Sequence, residues 1–260
     1  MNWQEISGSW VLIPQQPIGI IHFLGGAFIG TTPNLTYRWM LEQLAKAGYV
    51  VIATPFLNTF DHTAIARSTL NRFENILERF YSSNQIQTYL PIYGVGHSLG
   101  SKLHLLIGSL YGVQRAGNIL ISFNNYPVKR AIPLIEQLSI DTDALNIEFS
   151  PSPEETTQLI TSDYQIRRNL LIKFSNDTLD QTKTITPILQ QRFSHMISLQ
   201  KLSGNHLTPL GQNIKWETGD NFSALDALGQ WVKQSFLKDL NGLSQEMLRW
   251  LNPEKNTLMG

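Results

Sequence analysis

The chain contains no cysteine, so neither a disulfide framework nor a thiol nucleophile is available to it, and redox chemistry says nothing of its compartment. Charge is scarce as well. Asp, Glu, Lys and Arg make up 15% of the 260 residues, and twenty basic residues balance twenty acidic ones. Without a basic stripe there is no electrostatic footprint for nucleic acid. A neutral or weakly polar small molecule suits such a chain better than a polyanion. No apolar run approaches the roughly 18 residues needed to cross a bilayer, so no transmembrane segment is expected. Met1–Gln15 lacks the basic start and continuous apolar core of a secretory signal, and a soluble intracellular protein is the default. No Pro/Gly/Ser-rich linker or run of like charge divides the sequence, so residues 1–260 read as one domain.

What is present is an alternation. Short, largely apolar runs (Trp10–Ile13, Ile18–Phe23, Tyr49–Thr54, Pro91–Val95, Gly117–Phe123, Leu170–Phe174), with Ile197–Lys201 read as the final strand, are interleaved with segments of helical periodicity. The latter are Leu35–Lys46, Phe60–Arg79, Ser98–Leu110, Ala224–Leu237 and Ser244–Leu251. Strands that are apolar on both faces, separated by helices, predict a mostly parallel sheet covered on both sides. Residues 124–169 break the rhythm. They read either as a small lid over the end of the sheet or as the next crossover helix with a long loop, with Arg130–Leu138 and a start near Pro151–Glu155 as its helical parts.

One pentapeptide carries chemistry. Gly96-His97-Ser98-Leu99-Gly100 has the G-x-S-x-G spacing of a sharp strand-to-helix turn that presents a serine nucleophile, with a strand before it and a helix after it. The helix start aims backbone amides at charge developing on a substrate carbonyl. A serine needs a base and a carboxylate to orient that base. His206 follows the last predicted strand on a loop and is preferred to His195, which precedes that strand. His104, inside the helix after the turn, reads as structural, and His97 points away from Ser98. Asp177 follows Leu170–Phe174 by three residues and is the preferred acid; Asp180 is the alternate, expected to be solvent-exposed if Asp177 holds the histidine. The oxyanion donors are expected at the Leu99 N–H and, from the loop after Ile18–Phe23, at Leu24. Phe28, Phe56, Phe60 and Tyr126 are candidate apolar walls of a substrate pocket. His22, His62, His97 and His104 show no H-x-x-x-H or H-E-x-x-H spacing, and the glycines of the turn do not fit G-x-G-x-x-G, so neither a metal nor a cofactor is expected.

Over nearly its full length the chain resembles the α/β-hydrolase superfamily. More narrowly, His22-Phe23-Leu24-Gly25-Gly26, Gly96-His97-Ser98-Leu99-Gly100-Ser101-Lys102 and Gly204-Asn205-His206 resemble a group of hydrolase-like proteins of cyanobacteria and plant chloroplasts. The resemblance implies Ser98 as nucleophile, Asp177 as acid, His206 as base, Leu24 and Leu99 as oxyanion donors, and hydrolysis of an ester, lipid-like substrates included. Two residues depart from the superfamily pattern. Phe23 stands where glycine often follows the first-loop histidine, so either its ring narrows the site or its backbone places the Leu24 amide differently. Lys102 follows the turn where small residues are common, so its side chain is expected outside or lying along apolar surface with its stem. A noncatalytic scaffold with a binding or assembly role is the alternative reading, since fold alone never establishes activity.

Overall fold

A computed structural model describes residues 1–27, 29–128, 148–210 and 224–252. In chain order the elements are β1 (Gln4–Ile6), β2 (Ser9–Leu12), β3 (Gly19–Leu24), α1 (Pro33–Thr36), α2 (Arg38–Lys46), β4 (Tyr49–Ala53), α3 (His62–Ser82), β5 (Ile92–His97), α4 (Leu99–Leu110), β6 (Gly117–Ile121), α5 (Pro153–Asp163), β7 (Asn169–Phe174), α6 (Thr182–Arg192), β8 (Ile197–Leu202) and α7 (Ala224–Leu251). The strands form one sheet ordered β1-β2-β4-β3-β5-β6-β7-β8. Only the β1–β2 and β2–β4 pairs are antiparallel; from β4 through β8 the sheet is parallel.

The predicted strands are found because a parallel sheet buried on both faces needs apolar side chains at consecutive positions, and β3, β4 and β6 are buried throughout. On one face Tyr37, Met40, Leu41 and Leu44 pack with Leu240, Leu243 and Met247. On the other, α3 covers Val50 and Ile52, α4 and α3 share a cluster around Leu103 and Leu106, and α5 with α6 closes over Leu120 and Leu171. Within this frame the C-terminal ends of β3, β5, β7 and β8 lie along one edge, where parallel α/β sheets bring loops together.

Four elements differ from the sequence reading. β1 is a short polar edge strand, exposed at Gln4 and Glu5, and so carries no apolar alternation to detect. The helix expected over Leu35–Lys46 is two helices that meet at Tyr37, whose φ of -113° and ψ of 15° are not helical. Thr182–Arg192 is helical despite Pro187 in its interior, although proline there removes a backbone hydrogen bond. Ala224–Leu251 is one continuous helix where two were expected, because Gly242 lowers helix propensity without ending the helix. Of the 124–169 insert, residues 129–147 lie outside the described residues, Arg130–Leu138 among them. Its later part is α5, started by a Ser152/Glu155 capping box with Pro153 at its first position.

Candidate active site

The turn at Ser98 is held by close backbone approach. Ser98 has φ 55° and ψ -117°, a conformation that a non-glycine residue adopts only under constraint. Its N–H donates to the Ile121 carbonyl at 2.8 Å, tying the turn to β6. The two flanking glycines are required by contact. A Cβ on Gly96 would lie 2.5 Å from the Gly100 carbonyl carbon, and one on Gly100 would lie 2.0 Å from the Leu24 oxygen. Helix α4 therefore starts pressed against both the end of β5 and the first loop, with Leu99 at its first position.

The two partners come from distant loops at the same sheet edge. His206 Nδ1 lies 2.9 Å from Asp177 Oδ2, and His206 Nε2 lies 3.1 Å from Ser98 Oγ. A carboxylate only accepts, so the Nδ1–H donates to Asp177 and Nε2 is left to accept the Ser98 hydroxyl proton. The Asp177 side chain is fully buried, and its Oδ1 accepts the Leu179 N–H at 2.9 Å. Burial alone would push the Asp177 carboxyl up, but the hydrogen bond and charge of His206, with the Leu179 amide, draw it below its ordinary value. Asp177 is thus placed to remain a carboxylate.

Sequence reasoning missed Asn124, whose Nδ2 donates to Ser98 Oγ at 2.7 Å. It lies just past β6, at the same edge, and belongs to no motif. With Asn124 donating, the single proton of Ser98 is directed to His206.

The other candidates fall elsewhere. Asp180 is not solvent-exposed: its side chain is buried, pairing with Lys173 Nζ at 3.0 Å and accepting the Thr182 N–H at 2.8 Å, so the expectation of exposure is corrected by its role at the start of α6. His195 sits in an exposed turn with φ 66°. His104 is buried edge-on against His22, its Nε2 donating to the Val95 carbonyl at 3.2 Å. Leu24 is the last residue of β3, in register with Gly96, and its side chain packs with Phe56, Ile65 and Leu99. Phe23 does not narrow the site; its ring is in the core, edge-on to Tyr37 at 4.7 Å. Phe28 lies outside the described residues. Phe56 is buried, whereas Tyr126 is half-exposed. Among the described residues no cluster of three His, Asp or Glu side chains is disposed to hold a metal ion, and no helix is long and apolar enough to cross a membrane.

Lys102 overturns the expectation of an outward side chain: it is 1% exposed. Its Nζ reaches the Pro151 carbonyl at 3.4 Å and lies 5.7 Å from the centre of the Phe149 ring. Helix α4 is covered along this side by α3 and α5, so position 102 has no route to water. Burial brings its amine down to about 7 from 10.5. The unfolded chain then holds this proton up to about pH 10 while the folded one releases it near 7, so stability rises with pH between those limits. Neighbouring His62, pushed to about 3 by burial and by the Lys102 charge, is neutral throughout that window. Lys102→Met is expected to raise stability at pH 7 by about 1 kcal/mol and to remove this slope. Thermal unfolding from pH 7 to 10 checks it, and a variant that keeps the wild-type slope would refute the assignment.

No curated protein matches the chain in sequence. Solved structures match it in fold. A soluble variant of monoglyceride lipase from Saccharomyces cerevisiae superposes with a TM-score of 0.61 at 13% identity, covering 97% of this chain and 94% of that one. S-formylglutathione hydrolase from Staphylococcus aureus gives 0.52 at 16% identity, with 89% of each chain covered. TT1662 from Thermus thermophilus gives 0.52 at 18% identity, covering 81% of this chain and 93% of that one. The architecture is the α/β-hydrolase fold. Residues 2–253 match the family described as "Protein of unknown function (DUF1350)", and the chain belongs to that family.

Proposed function

We propose that this protein is a serine hydrolase that cleaves an ester through an acyl-enzyme on Ser98. The observation that carries the reading is the continuous line of hydrogen bonds Ser98–His206–Asp177, whose bonded pairs stand 108 and 29 positions apart along the chain. His206 takes the hydroxyl proton as Ser98 Oγ attacks the carbonyl carbon, then returns it to the leaving alcohol. Water, deprotonated by the same imidazole, releases the acid and restores Ser98. The oxyanion forms over the first turn of α4, where Leu99 N–H is one donor; Leu24 or the turn that follows it supplies the other from across Gly100.

The substrate class we infer is a hydrophobic ester. A groove of about 490 Å³ lies between the loop after β4 and α3, lined by Pro55, Phe56, Leu57, Ala64 and Ile65 and, on its polar side, by Thr31, Ser68 and Arg72. Phe56 and Ile65 also pack in one cluster with Leu99, the residue next to Ser98, so the groove adjoins the nucleophile's own support. An acyl chain of several carbons suits such a surface, each buried methylene being worth about 0.8 kcal/mol.

Fluorophosphonate labelling tests the reaction. The wild type is expected to be modified on Ser98 and Ser98→Ala to remain unmodified; a folded wild type that resists the probe under conditions that label a known serine esterase rules the reading out. p-Nitrophenyl esters of rising length test the substrate class. Activity should rise beyond acetate, and confinement to acetate would exclude the hydrophobic ester.

A further inference from the structure

Behind the Ser98–His206–Asp177 line lies a second chain of hydrogen bonds that shares none of its side chains. Tyr37, the residue that interrupts the first helical segment, is fully buried, and its hydroxyl accepts the Gly26 N–H at 2.8 Å. The same oxygen lies 2.8 Å from His97 Nδ1, and His97 Nε2 lies 3.0 Å from the backbone oxygen of His206. His97 is fully buried, its ring 5.7 Å from that of Tyr37 and 4.9 Å from that of His206, centre to centre.

The chemistry at its two ends fixes the direction of the whole chain. A backbone N–H can only donate, so the Tyr37 hydroxyl accepts from Gly26, and its one proton is free for His97 Nδ1. A carbonyl can only accept, so His97 Nε2 carries the proton it gives to His206. His97 is therefore neutral and held in the Nε2–H form. Burial, reinforced by His206, lowers its imidazole to about 3, which keeps this form in place at physiological pH.

The geometry explains local sequence features the reaction leaves unused. A Cβ on Gly25 would lie 2.8 Å from the Tyr37 ring, and one on Gly26 3.3 Å from His97 Nδ1, so the paired glycines admit the two rings. Phe23 packs edge-on against Tyr37 from below. The break between α1 and α2 brings Tyr37 inward. His97 is the residue immediately before the nucleophile, so the chain passes through the turn itself.

We propose that Tyr37 and His97 are positioning residues that form a directional strut, setting the His206 loop at a fixed distance from the first loop so that base and oxyanion side are referred to one point beside Ser98. The strut rests on the serine-hydrolase reading of that site. Neither residue touches the reacting atoms. Their effect is exerted through the His206 backbone, where a displacement of about 1 Å can lower a rate by about 100-fold.

Two substitutions at position 97 cut the strut at different ends. In His97→Gln the amide nitrogen takes the place of Nε2 and still reaches the His206 carbonyl, while the contact to Tyr37 is lost. In His97→Asn the amide oxygen replaces Nδ1 and still accepts from Tyr37, while His206 is released. His97→Asn is expected to lower kcat and the fluorophosphonate labelling rate by roughly 10- to 100-fold with KM within about twofold, and His97→Gln, which severs the strut at its other end, to lower them as well. Packing alone would impair the two variants only in proportion to lost thermal stability. Losses that track thermal stability, or wild-type labelling in either variant, overturn the proposal. Histidine ring ¹⁵N–¹H NMR decides it without reference to activity. An Nε2–H signal for His97, with His206 ring resonances that move in His97→Asn and not in Lys102→Met, supports the strut; a protonated Nδ1 on His97, or unmoved His206 resonances, refutes it. A wild type that fails to label while showing that Nε2–H signal would instead remove the hydrolase reading and leave the strut as a structural element.

Discussion

Asp177→Asn is expected to lower ester hydrolysis by about four orders of magnitude while the protein stays folded. The size follows from which end of the new amide faces which neighbour. Asp177 Oδ1 accepts the Leu179 N–H at 2.9 Å and Oδ2 faces His206 Nδ1 at 2.9 Å. An asparagine has one oxygen to offer. A backbone N–H cannot turn round, so the oxygen stays with Leu179 and the NH₂ group is turned to His206. Nδ1 must then accept, the ring proton moves to Nε2, and Nε2 presents an N–H to Ser98 where a lone pair is needed. The base is present but holds its proton on the wrong nitrogen.

Asp180→Asn separates this effect from a general loss of negative charge. Asp180 is committed to Lys173 and to the Thr182 N–H, with no contact to His206 among its bonds. Its variant should keep activity within a few-fold and lose some stability, because a half-buried lysine partner is left with a neutral neighbour. Steady-state kinetics of both variants, corrected for folded fraction by circular dichroism, decide the point. Asp177→Asn with a tenth or more of wild-type activity, or the larger loss in Asp180→Asn, would reverse the assignment of the acid.

The juxtaposition of Ser98, Asp177 and His206 is legible in the sequence because each follows a segment read as a strand: Pro91–Val95, Leu170–Phe174 and Ile197–Lys201. In a parallel sheet every strand delivers its following loop to the same edge, so three strand ends suffice to bring three distant residues together. What escapes the sequence lacks such a repeat. Asn124 bonds Ser98, and Tyr37 bonds Gly26 and His97; the two stand 26 and 61 positions from Ser98, and neither residue type is rare enough to draw notice. Tyr37 also lies within an apolar helical pattern, which conceals that the helix breaks there. Lys102 is misread because lysine is almost always found at the surface; its burial is decided by α3 and α5 closing over α4, which only the assembled fold specifies. The polar strand β1 and the Pro187-containing α6 are missed for the related reason that tertiary packing, not local propensity, maintains them.

The largest loss of stability is expected from a single methyl group at Gly100, and an identical substitution at Gly242 should act in the opposite direction. At Gly100 the added carbon would stand 2.0 Å from the Leu24 oxygen, 2.6 Å from its carbonyl carbon and 2.7 Å from the Gly25 oxygen. All three are backbone atoms at the end of a central strand paired on both sides, so no side chain can swing aside. Relief requires α4 to lift from β3 and β5, which unseats Ser98, the Leu99 amide and the contact of Leu103 and Leu106 with the core. Overpacking of an ordinary core site costs about 1–3 kcal/mol; a clash confined to backbone exceeds that range, and against a total stability of about 5–15 kcal/mol Gly100→Ala should be insoluble or melt far below the wild type. At Gly242, within α7, a Cβ meets nothing within 4 Å. Alanine there only restricts the unfolded chain and favours the helix, a gain of about 0.8–1 kcal/mol. Thermal unfolding of the two variants side by side measures both. A Gly100→Ala protein that melts within a few degrees of wild type would mean that α4 does not rest on the first loop, and with that contact gone the placing of an oxyanion donor opposite Leu99 would fail as well.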